Sequence, residues 1–333
     1  MVNPIAGIGL LVMASAVNAT FGVLMKLNRR WAWEETWLAW GVFALVLFPF
    51  VLTRATVADI TAIYGNYVPA VLQVALLGLA WGTSQIFFGL AMATAGIAVS
   101  FATILGISAV LGSLIPFLHS TGKLLSVTGA WLIAGVIIML IGIGFCAWAG
   151  RLRDVALCPG TSVSIQGLVY CVLAGLGSGL MNIALVFGAP LRAAAVLSGT
   201  SPSWAQNAVW LAFLASGAIP NIIYCLWLLH RNGTRRAPCA GSASQSWLLA
   251  MAMAACWLGS VVLYGVATLQ MGAWGPVLAW PVYMSLIVIS GAVAGVLTGE
   301  WSIPSPAPMR YMAKGIVLLV IAVFLIAGSG LQT

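Results

Sequence analysis

Neutral amides are the residues that could do chemistry inside this otherwise apolar chain. Asn18, Gln85 and Asn182 each lie within a long run of hydrophobic residues. A buried amide is costly in hydrocarbon unless it finds hydrogen-bond partners. These side chains therefore either bond to neighbouring helices or line a site for a polar, uncharged ligand.

Aromatic side chains lie deep in the same kind of segment. Trp81, Trp280 and Tyr283 are far from the ends of their apolar runs. Other tryptophans lie near the ends, where interface belts form, and they include Trp31, Trp33, Trp37, Trp40, Trp131 and Trp301. An aromatic face beside an amide suits the C–H face and hydroxyl edge of a sugar, and ordinary packing is the alternative. We predict a substrate-binding site formed by Asn18, Trp81, Gln85, Asn182, Trp280 and Tyr283.

Ionisable groups offer little for catalysis. The acidic residues all fall at predicted helix ends, and they are Glu34, Glu35, Asp59, Asp154 and Glu300. The sequence contains no HExxH, paired carboxylate, GxSxG or phosphate loop, and its six cysteines show no CxxC spacing. We therefore predict no catalytic residue, no metal site, no cofactor and no enzymatic activity.

Composition defines the elements that must position these residues. The chain is 62% hydrophobic and only 5% charged, with a mean hydropathy of +1.11, which excludes a soluble domain and indicates a lipid bilayer as its surroundings. The net charge of +8 comes from basic residues in short connections between apolar runs, so it does not indicate nucleic-acid binding.

Charge-free stretches give the number of membrane spans. Residues 60–122 and 237–299 contain no Asp, Glu, Lys or Arg, and each is 63 residues long. Since one span needs roughly 20 apolar residues, each stretch holds two, with breaks near Gly96 and Gly272–Gly275. The remaining intervals bring the total to ten. No apolar–polar alternation indicates a barrel, so the prediction is an all-α integral membrane protein.

The pattern of charges repeats along the chain. The uncharged intervals hold one, one, two and one predicted spans, and that order then recurs. Phe88-Gly89 is followed by Gly96, and Tyr264-Gly265 is followed by Gly272 at the same spacing. Because each half has an odd number of spans, the halves cross the membrane in opposite senses, which predicts two inverted five-helix repeats.

The predicted repeats cover residues 1–150 and 151–333. In transporters the substrate site lies near the membrane midplane between such repeats. Asn18 and Asn182 occupy the middles of the equivalent first and sixth helices. This symmetry favours a binding role for the pair.

Basic residues orient the chain. Ten of the 13 Lys and Arg residues fall in the odd-numbered connections. The positive-inside rule therefore places these connections in the cytoplasm and both termini outside, in a plasma membrane such as the bacterial inner membrane. GxxxG spacings such as Gly78–Gly82, Gly175–Gly179 and Gly291–Gly295 let helices approach closely within the fold or between protomers, so they also allow a homodimer.

Four segments resemble the L-rhamnose–proton symporter family of the drug/metabolite transporter superfamily. The segment FGVLMKLNRRWAWEETW (21–37) resembles that family's first connection, and LAWGTSQIFFGLAM (79–92) its third helix. GLGSGLMNIALVFGAP (175–190) is similar to its sixth helix, and GVLTGEW (295–301) to the end of its ninth. The landmarks occur in the family's order over most of the chain.

The resemblance implies uptake of L-rhamnose or a similar deoxy-sugar, a small polar uncharged solute, together with protons. No helix centre carries an acid, so proton coupling would use Glu34, Glu35 or Glu300 at the cytoplasmic edge, or His119. Of these we assign it to Glu34 and Glu300. For Glu34 the alternative is pairing with Arg29 or Arg30.

Two other functions compete: a metabolite or drug exporter of the same superfamily, and an intramembrane enzyme acting on a lipid-linked sugar.

Overall fold

Helices account for all the regular secondary structure that the structure describes. The computed structural model describes residues 3–120, 126–157, 164–233, 243–299, 301–302 and 305–329. The helices are α1 (Pro4–Leu27), α2 (Trp33–Gly41), α3 (Phe48–Thr56), α4 (Ile60–Asn66), α5 (Val68–Ala95), α6 (Ile97–Ser120), α7 (Val127–Leu157), α8 (Ile165–Ser178), α9 (Leu180–Phe187), α10 (Ala189–Leu197), α11 (Asn207–Arg231), α12 (Ala243–Gln270), α13 (Gly275–Leu297) and α14 (Ala307–Ser329).

Ten segments of the described chain are long and apolar enough to cross a membrane. They contain 21 to 28 residues each. Large apolar side chains such as Leu76 and Phe324 are 65% and 73% exposed, as expected where lipid tails and not water surround the helices. The prediction of an all-α membrane protein with ten spans is confirmed.

Glycines separate the helices within each charge-free stretch. Gly96 has φ of +82° between α5 and α6, and Gly272 has φ of +66° at the short 3-10 turn between α12 and α13. An L side chain rarely adopts this left-handed conformation, so glycine allows the chain to leave one helix and begin the next. Both predicted breaks are confirmed.

Three features of the described helices, one within a span and two outside the spans, lie beyond what the charge pattern predicts. The second span joins α2 to α3 through a π-helical segment, Val42–Leu47, directly before Pro49. Proline lacks an N–H and clashes with the carbonyl four residues earlier, which explains the wider turn. The short helices α4 and α10 lie outside the spans and pack against each other.

The chain forms two compact units. The first comprises Met1–Ala16, Phe87–Ile183 and Ala267–Thr333. In this unit α14 packs along α7, where Gly315 approaches Gly142, and α6 packs against α8 and α13. Small residues at these contacts let the helix backbones come close together.

The second unit comprises Val17–Ile86 and Ala184–Val266. In it α11 packs against α2, α3 and the π-helical segment between them. Gly78 and Gly82 of α5 lie directly against the backbone of α11 at Phe213 and Gly217. This GxxxG spacing therefore works within the fold.

Packed spans occupy the same ordinal place in the two predicted repeats. Within the second unit the second span contacts the seventh, which is α11. Within the first unit the fourth span (α6) contacts the ninth (α13), and the fifth (α7) contacts the tenth (α14). These pairings are consistent with an inverted repeat, whose boundaries at 1–150 and 151–333 stay a prediction.

Candidate functional site

Asn18 and Trp81 both adjoin one turn of α12 in the second unit. Nδ2 of Asn18 donates to Oγ of Ser260 over 3.1 Å. Oγ of Ser260 in turn donates to the carbonyl of Trp257, one turn earlier, over 2.7 Å. The Trp81 ring lies 6.0 Å from the Trp257 ring. The structure therefore brings these two predicted site residues to the same short stretch of α12.

An aromatic group extends from Trp257 to the second span. The ring of Trp40 meets Trp257 edge-on with centroids 5.3 Å apart, and Trp37 lies 4.4 Å from Trp40. Trp40 is 2% exposed, and its indole N–H has no hydrogen-bond partner in the described structure. Sequence reasoning assigned Trp37 and Trp40 to an interface belt and so missed this group.

Gln85 lies one turn beyond Trp81 on α5 and is half-buried. Its Nε2 makes one long hydrogen bond of 3.4 Å, to Oγ of Ser84. An amide held this weakly keeps donor and acceptor capacity for a ligand. Asn18 is also half-buried, whereas Trp81 is 4% exposed.

Glu34 is a buried carboxylate at the start of α2. It is 8% exposed, and Oε1 accepts a hydrogen bond of 3.0 Å from Nδ2 of Asn232, which caps the end of α11. Arg29 and Arg30 are exposed. The first turn of a helix favours a negative charge, and the amide of Asn232 adds a donor to the carboxylate. The other predicted coupling residue, Glu300, lies outside the described residues.

Asn182 and Trp280 belong to a second group, which lies in the first unit around Gly112. Pro116 has no N–H to offer the Gly112 carbonyl four residues earlier, and Nδ2 of Asn182 donates to that oxygen instead. The same amide nitrogen also donates to the Pro276 carbonyl, over 2.6 Å.

Trp280 completes the group in the first unit. Its ring packs on the bare Cα of Gly112, and its Nε1 donates to the Ser108 carbonyl over 3.0 Å. Tyr283 is 4% exposed, with its ring 6.2 Å from that of Trp280. We call Ser108, Gly112, Asn182, Pro276 and Trp280 the Gly112 cluster. Its hydrogen bonds give Asn182 and Trp280 a role in joining helices, and their predicted contact with substrate stays a prediction.

A third polar group lies in the second unit and carries no sequence motif. It contains Gln206 and Trp210, near the start of α11, which both approach Gly265 of α12, and Arg192 of α10 lies near Tyr264, the residue before that glycine. Burial lowers the pKa of Arg192, and its interaction with Tyr264 opposes that shift. The sequence signal that could have found it is Arg192 itself, a lone charge between two long uncharged intervals.

Metal-binding geometry does not occur in the described part of the chain. No group of three or more His, Cys, Asp or Glu residues there is arranged to hold a metal ion. The chemistry available to these sites is hydrogen bonding by amides and indoles, contact with aromatic faces, and protonation of a buried carboxylate.

Comparison with known proteins adds the family. The sequence model of the L-rhamnose-proton symport protein (RhaT) family matches residues 1–333. The chain belongs to this family. It is therefore a multi-pass secondary transporter of the membrane and not an enzyme, and the resemblance found in the sequence is confirmed.

Individual relatives match over nearly the whole chain. The chain is 27% identical to an L-rhamnose-proton symporter of Pectobacterium atrosepticum, with 97% of each protein covered. It is 26% identical to one of Cronobacter sakazakii, over 97% of this chain and 96% of the relative. It is 25% identical to one of Escherichia coli, over 93% of this chain and 94% of the relative.

Proposed function

We propose that this member of the RhaT family takes up L-rhamnose, or a closely similar deoxy-sugar, together with protons by alternating access. The observation that carries the proposal is the family match over the full chain, 1–333, together with symporter relatives covered over more than nine-tenths of their length. The neutral, aromatic character of the candidate site supports an uncharged polar substrate.

Asn18, Trp81 and Gln85 contact the sugar under this proposal. The two amides are half-buried, and the long hydrogen bond of Gln85 is easily exchanged for one to a hydroxyl. The ring of Trp81 supplies an apolar face, and the unpartnered N–H of Trp40 supplies a further donor. In the first unit, Asn182, Trp280 and Tyr283 remain predicted site residues.

Glu34 carries the proton under this proposal. A carboxylate that is 8% exposed and bonded to an amide changes its charge at a substantial electrostatic cost, which is what links protonation to conformation. Glu300 remains a predicted second coupling residue. We also retain three predictions: both termini lie outside, the basic connections lie in the cytoplasm of a bacterial cell, and the protein forms a homodimer.

Uptake by cells tests the transport reaction. Cells expressing the chain should accumulate radiolabelled L-rhamnose above the external concentration, and a protonophore should abolish the accumulation. Cells carrying the empty vector serve as the control. Equilibration without accumulation would contradict proton coupling, and no uptake at all would contradict the assignment of L-rhamnose as substrate.

A matched pair of glutamine variants tests the site. Gln85→Leu should weaken L-rhamnose binding about tenfold, the effect of losing one or two hydrogen bonds to the ligand. Gln73→Leu, at an exposed position on the same helix, should leave binding unchanged. Calorimetric titration of the purified transporter measures both. Equal affinities for the two variants would remove Gln85 from the site.

A matched pair of glutamate variants tests the coupling residue. Glu34→Gln cannot change charge, so it should lose proton-driven accumulation while still exchanging labelled for unlabelled rhamnose across vesicles. Glu35→Gln should retain both, because Gln can still accept the hydrogen bond of 2.8 Å that Glu35 takes from the Ala32 N–H. Accumulation by Glu34→Gln vesicles would exclude Glu34 as the proton carrier.

A further inference from the structure

Buried hydrogen-bonding atoms without partners gather around Gly265 in the second unit. Gln206 is 2% exposed, and neither its Oε1 nor its Nε2 has a partner in the described structure. Trp210 is 1% exposed, and its Nε1 is likewise unpartnered. Nearly all buried polar groups in proteins are bonded, so an amide and an indole left open side by side need an explanation.

Gly265 brings these open atoms together. A Cβ atom built on Gly265 would meet Oε1 of Gln206 and would lie 3.3 Å from Nε1 of Trp210. The missing side chain at this point of α12 therefore lets both polar groups of α11 approach the same spot. The arrangement provides two donors and one acceptor within a small volume.

Arg192 of α10 adds a guanidinium near Tyr264, the residue before Gly265. Nε of Arg192 is buried and unpartnered in the described structure. We call Arg192, Gln206, Trp210, Tyr264 and Gly265 the Gly265 cluster. It combines amide, indole and guanidinium hydrogen-bonding groups with the aromatic ring of Trp210.

The backbone that carries Gln206 is firmly held, so its open amide does not reflect a loose segment. Nδ2 of the next residue, Asn207, donates to Oγ1 of Thr56 over 2.9 Å, and the Asn207 carbonyl accepts from Thr53 over 3.1 Å. The Ala208 carbonyl accepts from the Tyr64 hydroxyl over 2.6 Å. The polar atoms of Gln206 are thus presented by a rigid frame, as a binding site requires.

The polar character is confined to the second copy of a repeated sequence feature. Tyr264-Gly265 matches Phe88-Gly89 in the predicted first repeat. Phe88 lies against Phe101, with ring centroids 5.3 Å apart, and packs on an apolar core that includes Ile104 and Cys171. A helix contact that needed only packing would be served by the apolar version.

The cluster lies toward one face of the membrane. Gln206 and Trp210 are at the start of α11, whose other end carries the basic residue Arg231, and Tyr264 is close to the end of α12. Under the proposed orientation this is the outer face, from which a substrate arrives.

We propose that the Gly265 cluster is a second sugar subsite, which receives the hydroxyl groups of a neutral monosaccharide on the outer side of the transporter. The proposal rests on the proposed function as a sugar transporter. Sugar hydroxyls are both donors and acceptors, so they can satisfy the amide, indole and guanidinium at once, and the ring of Trp210 suits the C–H face. In the present conformation Gln206, Trp210 and Tyr264 are 0–2% exposed, so the sugar enters only when side chains around Gly265 move apart.

Paired measurements on Gln206→Leu test the subsite. Rhamnose affinity is measured by calorimetric titration of the full-length transporter, and stability by thermal unfolding in the same detergent. We expect about tenfold weaker binding together with an unchanged or higher melting temperature, since leucine removes buried polar atoms that have no partner. Gln166→Leu, an exposed glutamine of the first unit, is the matched control and should retain wild-type affinity.

Trp210→Phe provides a second variant that keeps an aromatic ring and removes only the indole N–H and some volume. We expect about threefold to tenfold weaker rhamnose binding. Trp204→Phe, which changes a 39% exposed tryptophan just before α11, is its control. Unchanged affinity in both Gln206→Leu and Trp210→Phe would overturn the subsite, as would a fall in melting temperature that accompanies every loss of binding.

The substrate panel separates this inference from the proposed function. Neutral monosaccharides and carboxylated sugars are titrated against the wild-type protein and Gln206→Leu. Rhamnose binding by the wild type with no effect of the variant would leave the function intact and overturn the subsite. Failure of rhamnose to bind, with another neutral sugar binding in a Gln206-dependent way, would overturn rhamnose and support the subsite. Gln206-dependent binding of carboxylated sugars alone would overturn a subsite for neutral sugars.

Discussion

Two polar groups of this transporter are built on the same plan and completed differently. In both, a tryptophan lies against a glycine that offers no side chain, Trp280 on Gly112 and Trp210 beside Gly265. In the Gly112 cluster the indole N–H donates to the Ser108 carbonyl, and Asn182 donates to two further carbonyls. In the Gly265 cluster the indole N–H and both polar atoms of Gln206 have no partner in the described structure.

This difference distinguishes a contact that joins helices from the proposed ligand subsite. Asn182 and Trp280 donate hydrogen bonds to main-chain carbonyls of neighbouring helices. One of these is the Gly112 carbonyl, for which Pro116 has no N–H. Such bonds stabilise the contact and leave little for a ligand, although Oγ of Ser108 remains unpartnered in the described structure. The side-chain polar atoms of Gln206 and the indole N–H of Trp210 make no such hydrogen bonds in the described structure, which is typical of groups retained for binding.

The largest effect is expected from removing the amide that joins helices in the Gly112 cluster. Asn182→Leu keeps the volume but leaves the Gly112 and Pro276 carbonyls without this donor in a buried place. We expect a loss of about 2–3 kcal/mol in the free energy of unfolding, seen as a lower melting temperature in detergent. Asn66→Leu, at an exposed helix end, should change stability little. Similar melting temperatures for the two variants would contradict a joining role for Asn182.

A smaller contrast is expected when each glycine gains a methyl group. In Gly112→Ala the new Cβ meets the rigid ring of Trp280, so the helices must shift, at about 1–3 kcal/mol. In Gly265→Ala it meets the end of the flexible Gln206 side chain, which can move aside, at less than about 1 kcal/mol. Thermal unfolding of both variants under one condition measures the difference. A larger loss of stability for Gly265→Ala would mean that the helices pack more tightly at the Gly265 cluster than at the Gly112 cluster.

The sequence predicts the frame of this molecule far better than it predicts these two clusters. Charge-free length and the repeated glycines placed the ten spans and the breaks at Gly96 and Gly272, because lipid excludes charge and a left-handed turn favours glycine. Four short segments also identified the family, which the comparison confirms.

The clusters depend on contacts that no local pattern encodes. Asn182 donates to the Gly112 carbonyl, which lies far away along the chain. From the sequence alone, an amide in the middle of a helix is therefore equally compatible with a ligand site and with a contact between helices. Gln206 stands beside the start of a span, where a polar residue is ordinary at a membrane interface. Only the packing of α11 on α12 shows that its amide is buried and open.

The smallest effect comes from the two tryptophans, and it measures the hydrogen bond alone. Trp280→Phe and Trp210→Phe lose the same volume and the same N–H, from rings that are 3% and 1% exposed. The first variant also leaves the Ser108 carbonyl without this donor, whereas the second removes an N–H that had no partner. We expect Trp280→Phe to be less stable than Trp210→Phe by about 1–2 kcal/mol.

Thermal unfolding of the two tryptophan variants measures their stability, and rhamnose titration of each measures their affinity for the sugar. Because the volume terms are similar, they largely cancel in the difference between the variants. Trp280→Phe should therefore show the lower melting temperature, and Trp210→Phe the weaker rhamnose binding. If Trp210→Phe lost more stability than Trp280→Phe, its indole N–H would have a partner in the folded protein. The Gly265 cluster would then be a second contact that joins helices, as the Gly112 cluster does.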